Sequence, residues 1–190
     1  MNQIYIEEKT FNHIDFTEKA LPEGNYENCI FTSCNFSNTD LSRIIFCECK
    51  FTACNLSMAK LSQTAFRDIT FKDCKLLGLH FDHCNQFITG LNFDNCIINI
   101  SSFYKLKLKK TIFSNSTLAE TDFAEADLTG SVFSNCDLGK TIFENSILEK
   151  ADFRTSYNYS INPEVNRIKK AKFSTTGIAG LLCKYDIEIE

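Results

Sequence analysis

The chain has 190 residues, 24 acidic against 20 basic side chains, a net charge of −4 and 44% hydrophobic residues. That length suits one domain with a sizeable core, the apolar content excludes a disordered chain, and the mild negative charge argues against general affinity for nucleic acid. Eighteen Phe, no Trp and ten Cys stand beside only seven Gly and two Pro, too few turn formers for a sandwich of hairpins.

The opening stretch "MNQIYIEEKTF" has neither a basic start nor an apolar signal core, and no run of 18 apolar residues occurs anywhere. A soluble, cytoplasmic protein without membrane contact is expected, its cysteines reduced rather than paired. Ile4 and Ile6 hold an inward phase one unit before Phe11, so residues 1–10 are expected to form an N-terminal cap strand.

From Phe11 a Phe, Leu or Tyr falls on every fifth residue: Phe11, Phe16, Leu21, Tyr26, Phe31, Phe36, Leu41, and so on to Phe81. A second run keeps the spacing from Phe93 to Phe153 with Phe, Leu or Ile. Five is the period of neither helix nor strand. Two residues before each of these centres the side chain is usually small, as at Cys34, Cys54, Ala59, Thr64, Thr121 and Ala126. One large and one small inward residue in five describes a chain that turns a corner every five residues, and four sides close a square coil of twenty.

The twenty-residue phase supports this reading. Phe11, Phe31, Phe51 and Phe71 continue as Phe93, Phe113, Phe133 and Phe153 once a two-residue bulge near 84–91 is allowed. The bulge is absorbed at a corner or serves as a loop that touches a partner. Beyond it, residues 11–155 keep one frame, and about seven coils at strand spacing give a rod roughly 34 Å long.

After Phe153 the repeat fades. In the extension 156–190, Ser174 or Thr175 offers a helix N-cap, and Ile178, Leu181, Leu182 and Tyr185 share one helical face. A short C-terminal α-helix is expected there, as a lid and a candidate homodimer contact.

Eight of the cysteines sit two before a centre or where one would fall, as small buried residues; Cys47, in "CEC", points out where Cys49 points in, so no zinc site is read. His80 and His83 flank Phe81 on the outside beside Asp82 and are read as surface residues. A filled square coil offers no pocket, and no phosphate loop, nucleophile elbow or zincin motif is present. No catalytic, metal or cofactor residues are expected. Lys105, Lys107, Lys109 and Lys110 point outward with Glu125 stacked over Lys105 and Asp127 over Lys107, a paired face. Between Thr111 and Phe153 eight acids, Glu120, Asp122, Glu125, Asp127, Asp137, Glu144, Glu149 and Asp152, outnumber Lys140 and Lys150. Aliphatics occupy the residue before a centre at Ile97, Ile112, Val132, Ile142 and Ile147, where they could form an apolar contact patch.

"ADLTG" (Ala126–Gly130) and "ADFRT" (Ala151–Thr155), with "CNFSN", "TDLSR", "CNLSM", "TDFAE" and "CDLGK", resemble the A(D/N)LXX unit of the pentapeptide-repeat family. The resemblance implies an all-β fold, a right-handed quadrilateral β-helix, and C-terminal dimerisation. One branch of that family, the Qnr-type and mycobacterial fluoroquinolone-resistance proteins, imitates DNA and binds DNA gyrase and topoisomerase IV. Carried over, it makes the eight acids candidate partner-binding residues on a DNA mimic. The alternative is a protein-interaction or structural scaffold with another partner.

Overall fold

The computed structural model describes residues 4–85 and 89–188. The chain winds into a parallel β-solenoid whose described residues form two sheets. One contains β1 (Ile4–Glu7), β3 (Gly24–Glu27), β5 (Ile45–Cys47) and β7 (Ala65–Arg67). The other runs β2 (Thr10–Asn12), β4 (Ile30–Thr32), β6 (Lys50–Thr52), β8 (Thr70–Lys72), β9 (Asn92–Asp94), β10 (Ile112–Ser114) and β11 (Val132–Ser134). The two remaining sides are held by single parallel bridges, among them Asp15–Asn35–Asn55–Lys75 and Ser102–Asp122–Ile142.

Every fifth residue from Asn28 to Gly78, and again from Asn95 to Lys150, has a positive φ. These are the corners: each turns the chain onto the next side of the square within a residue or two, which is why the period is five. Most such positions are polar, Asn, Asp, Lys or Glu, but β-branched Ile100 is held at φ 58° with its side chain in solvent, a conformation that costs about 1–2 kcal/mol for a residue with a Cβ.

The centres fill the interior. Phe11, Phe31, Phe51, Phe71, Phe93, Phe113, Phe133, Phe153 and Phe173 stack in one column with ring centroids 4.7–5.4 Å apart. Phe113 meets Phe123 edge to face at 5.8 Å, the arrangement that aromatic quadrupoles favour.

The small position before each centre does more than leave room. Thiols of Cys34, Cys54 and Cys74 donate to the carbonyls of Phe11, Phe31 and Phe51 in the coil before, at 3.4–3.5 Å. Hydroxyls of Ser101, Thr121, Ser131 and Thr141 do the same to Leu76, Ile98, Leu108 and Leu118 at 2.7–3.1 Å. Two kinds of corner follow. In the tight one the N–H of the small residue bonds back to the preceding centre, as Ala59 to Leu56 and Ala126 to Phe123. After a strand side that bond is absent, and the freed N–H is met by the side chain stacked one coil later: Cys34 N–H by Cys54 Sγ at 3.4 Å, Cys96 N–H by Ser116 Oγ at 3.0 Å. Buried N–H groups need such partners. Cys29, Cys34, Cys49, Cys54, Cys74, Cys96 and Cys136 all follow strands, so cysteine marks the wide corner. Burial pushes the thiols of Cys49 and Cys136 up, to about 12 and about 11, which keeps them protonated as donors.

Three expectations need correction or placing. At the N-terminus Ile6 packs on the core, but Ile4 stays 45% exposed above Gly24. The bulge expected near 84–91 falls partly on residues 86–88, which lie outside the described residues; across it the register lengthens by two, Phe71 pairing with Phe93 and Lys72 with Asp94. The expected C-terminal α-helix does not form. Ile178–Leu181 and Cys183–Tyr185 are 3-10 turns. Gly177 and Gly180 each cost an α-helix about 1 kcal/mol, and a segment this short cannot offset that. The glycines serve packing instead: a Cβ on either would run into Tyr159. Neither Ser174 nor Thr175 caps a helix: the 3-10 segment starts from Gly177 without a side-chain cap, and Ser174 Oγ instead accepts the Gly177 N–H at 3.0 Å in the turn before it.

Candidate partner-binding surface

The eight acids do not share a face. Asp122, Asp127, Asp137 and Asp152 each occupy the residue before a centre, and each lies on a different side of the coil: beside Ser102, Lys107, Thr117 and Val132 respectively. Their carboxylates accept the backbone N–H two residues on, from Ala124, Thr129, Gly139 and Arg154, at 2.8–3.2 Å. Asn35, Asp40 and Asn55 make the same closure with Ser37, Ser42 and Ser57. These are Asx turns, and they explain why the repeat wants Asp or Asn before its centre.

The glutamates point outward. Glu120 pairs with Lys140 at 3.8 Å, Glu125 with Lys105 at 3.4 Å and Glu149 with Arg167 at 2.7 Å. Glu125 also accepts the Tyr104 hydroxyl at 2.9 Å. Asp127 sits in register with Lys107, yet its ion pair is with Lys109 at 3.2 Å. Asp152 takes Arg154 at 2.7 Å, and that guanidinium holds its carboxyl below the usual aspartate range. For Asp127 burial alone would raise the pKa, but bonds from Thr129 and Lys109 outweigh it and the net shift is downward. Of the eight, Glu144 alone is exposed without a side-chain partner among the described residues. Exposed pairs of this kind add little stability, but they break up a negative field.

The aliphatic set is dispersed too. Ile97, Ile112 and Ile142 are 41–46% exposed while Val132 and Ile147 are half-buried. Only Ile112 and Val132 stack directly, as partners of β10 and β11. At the C-terminal end Leu181 packs on the core and Leu182 is half-buried, whereas Ile178 and Tyr185 are about half exposed, at 51% and 50%. Tyr185 donates to Glu164 at 2.9 Å, and Lys184 pairs with the same carboxylate.

One expectation is corrected by shape. The rod does carry a recess: beside the interruption a groove of about 600 Å³ is lined by Asp82, Gly90, Tyr104, Lys105, Lys107 and Lys109 among others. The sequence could not show it, because the groove arises from the lengthened register rather than from any motif. No described helix is long and apolar enough to cross a membrane.

The family model described as "Pentapeptide repeat region" matches residues 24–86, 44–118 and 86–158. With the five-residue corners and Asx-closed sides, this places the chain in the pentapeptide-repeat family. Among solved structures it is similar to a trypsin-treated variant of QnrB1, a plasmid-mediated fluoroquinolone resistance protein, at 17% identity and a TM-score of 0.75, covering 98% of this chain and 92% of that one. A second trypsin-treated QnrB1 variant matches at 18% identity and a TM-score of 0.54 over 99% of this chain and 98% of that one. At such identities the likeness concerns the fold. No curated protein matches the sequence.

Proposed function

We propose that this protein is a non-enzymatic binding rod that acts by presenting a rigid lateral surface to a protein partner. The observation that carries this reading is the division of labour on the outside of the coil. The aspartates are taken up in closing turns, three of the four outward glutamates are paired, and Ile97, Ile112 and Ile142 stay exposed on three sides of the coil. Such a surface suits a mixed polar and apolar contact better than a continuous anionic stripe.

A type II topoisomerase, DNA gyrase or topoisomerase IV, is the first partner to test, and the likeness to QnrB1 over nearly the whole chain favours it. A homodimer through Ile178, Leu181, Leu182 and Tyr185 would double the rod, supported by the half-exposed Ile178 and Tyr185. A gyrase supercoiling titration, with and without a quinolone, tests the partner. Inhibition or relief of poisoning at low micromolar protein supports the topoisomerase; no effect at tens of micromolar with cognate enzyme moves the search to other proteins. Sedimentation equilibrium of wild type and Ile178→Asp tests the dimer.

A further inference from the structure

We infer that His80, Asp82 and His83 form a binding site for one divalent transition-metal ion at the point where the coil changes register. The site begins with a missing corner. Position 83 is where the five-residue rhythm calls for a positive-φ residue, but the run of such residues stops at Gly78 and resumes beyond the interruption. Instead, Phe81–His83 is a single 3-10 turn, with Cys84 N–H bonded to the Phe81 carbonyl at 3.0 Å. The turn folds His83 back over its neighbours, and its ring stacks on that of His80 with centroids 4.7 Å apart and planes 11° from parallel, so one ring has to turn about its side-chain torsions before both nitrogen lone pairs meet a single ion.

Asp82 lies between them. Its Oδ1 is 3.3 Å from His80 Nδ1 and its Oδ2 is 3.6 Å from His83 Nε2. All three ligand atoms fall within 4.8 Å of one another. The His80–Asp82 contact is a hydrogen bond, long beside a charge-assisted one of about 2.7–2.9 Å. Ligand atoms on a tetrahedral shell with metal bonds of 2.0–2.1 Å are about 3.3 Å apart; the His80 pair has that spacing, while the His83 pair is longer and uses the other carboxylate oxygen. The carboxylate is largely covered, its side chain 19% exposed, while the imidazoles are about 60% exposed and open to entry from solvent. No Lys or Arg lies within ion-pair distance of Asp82 among the described residues; Lys105, Lys107 and Lys109 line the same groove. Two imidazoles and one carboxylate with open positions suit zinc, cobalt or nickel rather than calcium or magnesium. The ion would clamp the turn that replaces the lost corner, with water completing its shell.

The test uses untagged protein with reduced thiols, freed of metal by a chelator. Equilibrium dialysis against Zn²⁺ is expected to show one ion per chain with micromolar affinity. Co²⁺ should give visible d–d bands of an N/O site without thiolate charge transfer. His80→Ala, His83→Ala and Asp82→Asn should each weaken binding at least about tenfold, and Zn²⁺ should raise the melting temperature of wild type but not of the His80→Ala/His83→Ala variant. Melting of the metal-free variants near the wild-type value checks that they fold. No saturable binding up to millimolar Zn²⁺, unchanged affinity in the double variant, or thiolate bands from Co²⁺ would each overturn the assignment.

Discussion

Coils before and after the interruption solve the same packing problem differently. Up to β7, each coil has two strand sides, and the Phe column is accompanied by Tyr26, Phe46 and Phe66 on the adjoining side. After it, that side carries Leu108, Leu128 and Leu148 with single bridges. The second aromatic column has moved across the coil to Phe81, Phe103, Phe123 and Phe143, where the earlier coils have Leu21, Leu41 and Leu61. The switch falls at Phe81, next to the 3-10 turn and the two extra residues. From the third coil on, the interior holds mainly two aromatic columns and two aliphatic ones, whereas the first two coils add a third ring, Phe16 and Phe36, on the side that then carries Leu56.

The largest expected effect tests that equivalence. Phe46→Ala before the break and Phe113→Ala after it should each cost about 3–5 kcal/mol in urea unfolding, since both rings are fully buried. A loss below about 1 kcal/mol at either would mean that its column is not part of the core. Next come the corners. Cys54→Ala strands the Cys34 N–H and should cost about 1–3 kcal/mol. Cys54→Ser, which reproduces Ser116, should cost under about 1 kcal/mol; equal losses would remove the acceptor role. Smallest is a gain. Ile100→Asn at φ 58° should raise stability by about 1 kcal/mol, visible as a higher melting temperature, and a lower one would mean that Ile100 makes a contact worth more than its strain.

How much is legible in the sequence varies with the kind of signal. The inward residues announce themselves because burial repeats every five and every twenty, and the columns through Phe113 and Leu118 follow directly. The corner type is only partly legible: cysteine marks the wide corner, but Ser116 stands at one as well, and what separates the types is the acceptor supplied to the Cys34 and Cys96 N–H from the next coil. The acids mislead on grouping: counted along the chain, Asp122, Asp127, Asp137 and Asp152 look like a cluster, yet a step of five or more carries each to another side. The segment Ile178–Tyr185 satisfies the apolar spacing of a helix and is kept from forming one by Gly177 and Gly180, which pack against Tyr159. At His80 and His83 the phase puts both outward, and only the lost corner brings them together.

The aspartates lead to the measurement that bears most directly on the whole account. If they serve as turn acceptors rather than as charge, Asp122, Asp127, Asp137 and Asp152 can be replaced together by Asn, which keeps an acceptor oxygen, or by Ala, which does not. Hydrogen bonds and ion pairs lower the carboxyl pKa of Asp127 and Asp152. Their contribution is therefore complete above the ordinary aspartate pKa and is lost as pH falls through the lowered folded values. Urea unfolding of the two quadruple variants from neutral to acid pH decides the matter. The account predicts near wild-type stability at pH 7 for the Asn set with a flatter acid limb, and a loss of about 1 kcal/mol per site for the Ala set. Equal destabilisation of both sets at pH 7 would show that charge, not the Asx turn, is what these residues supply.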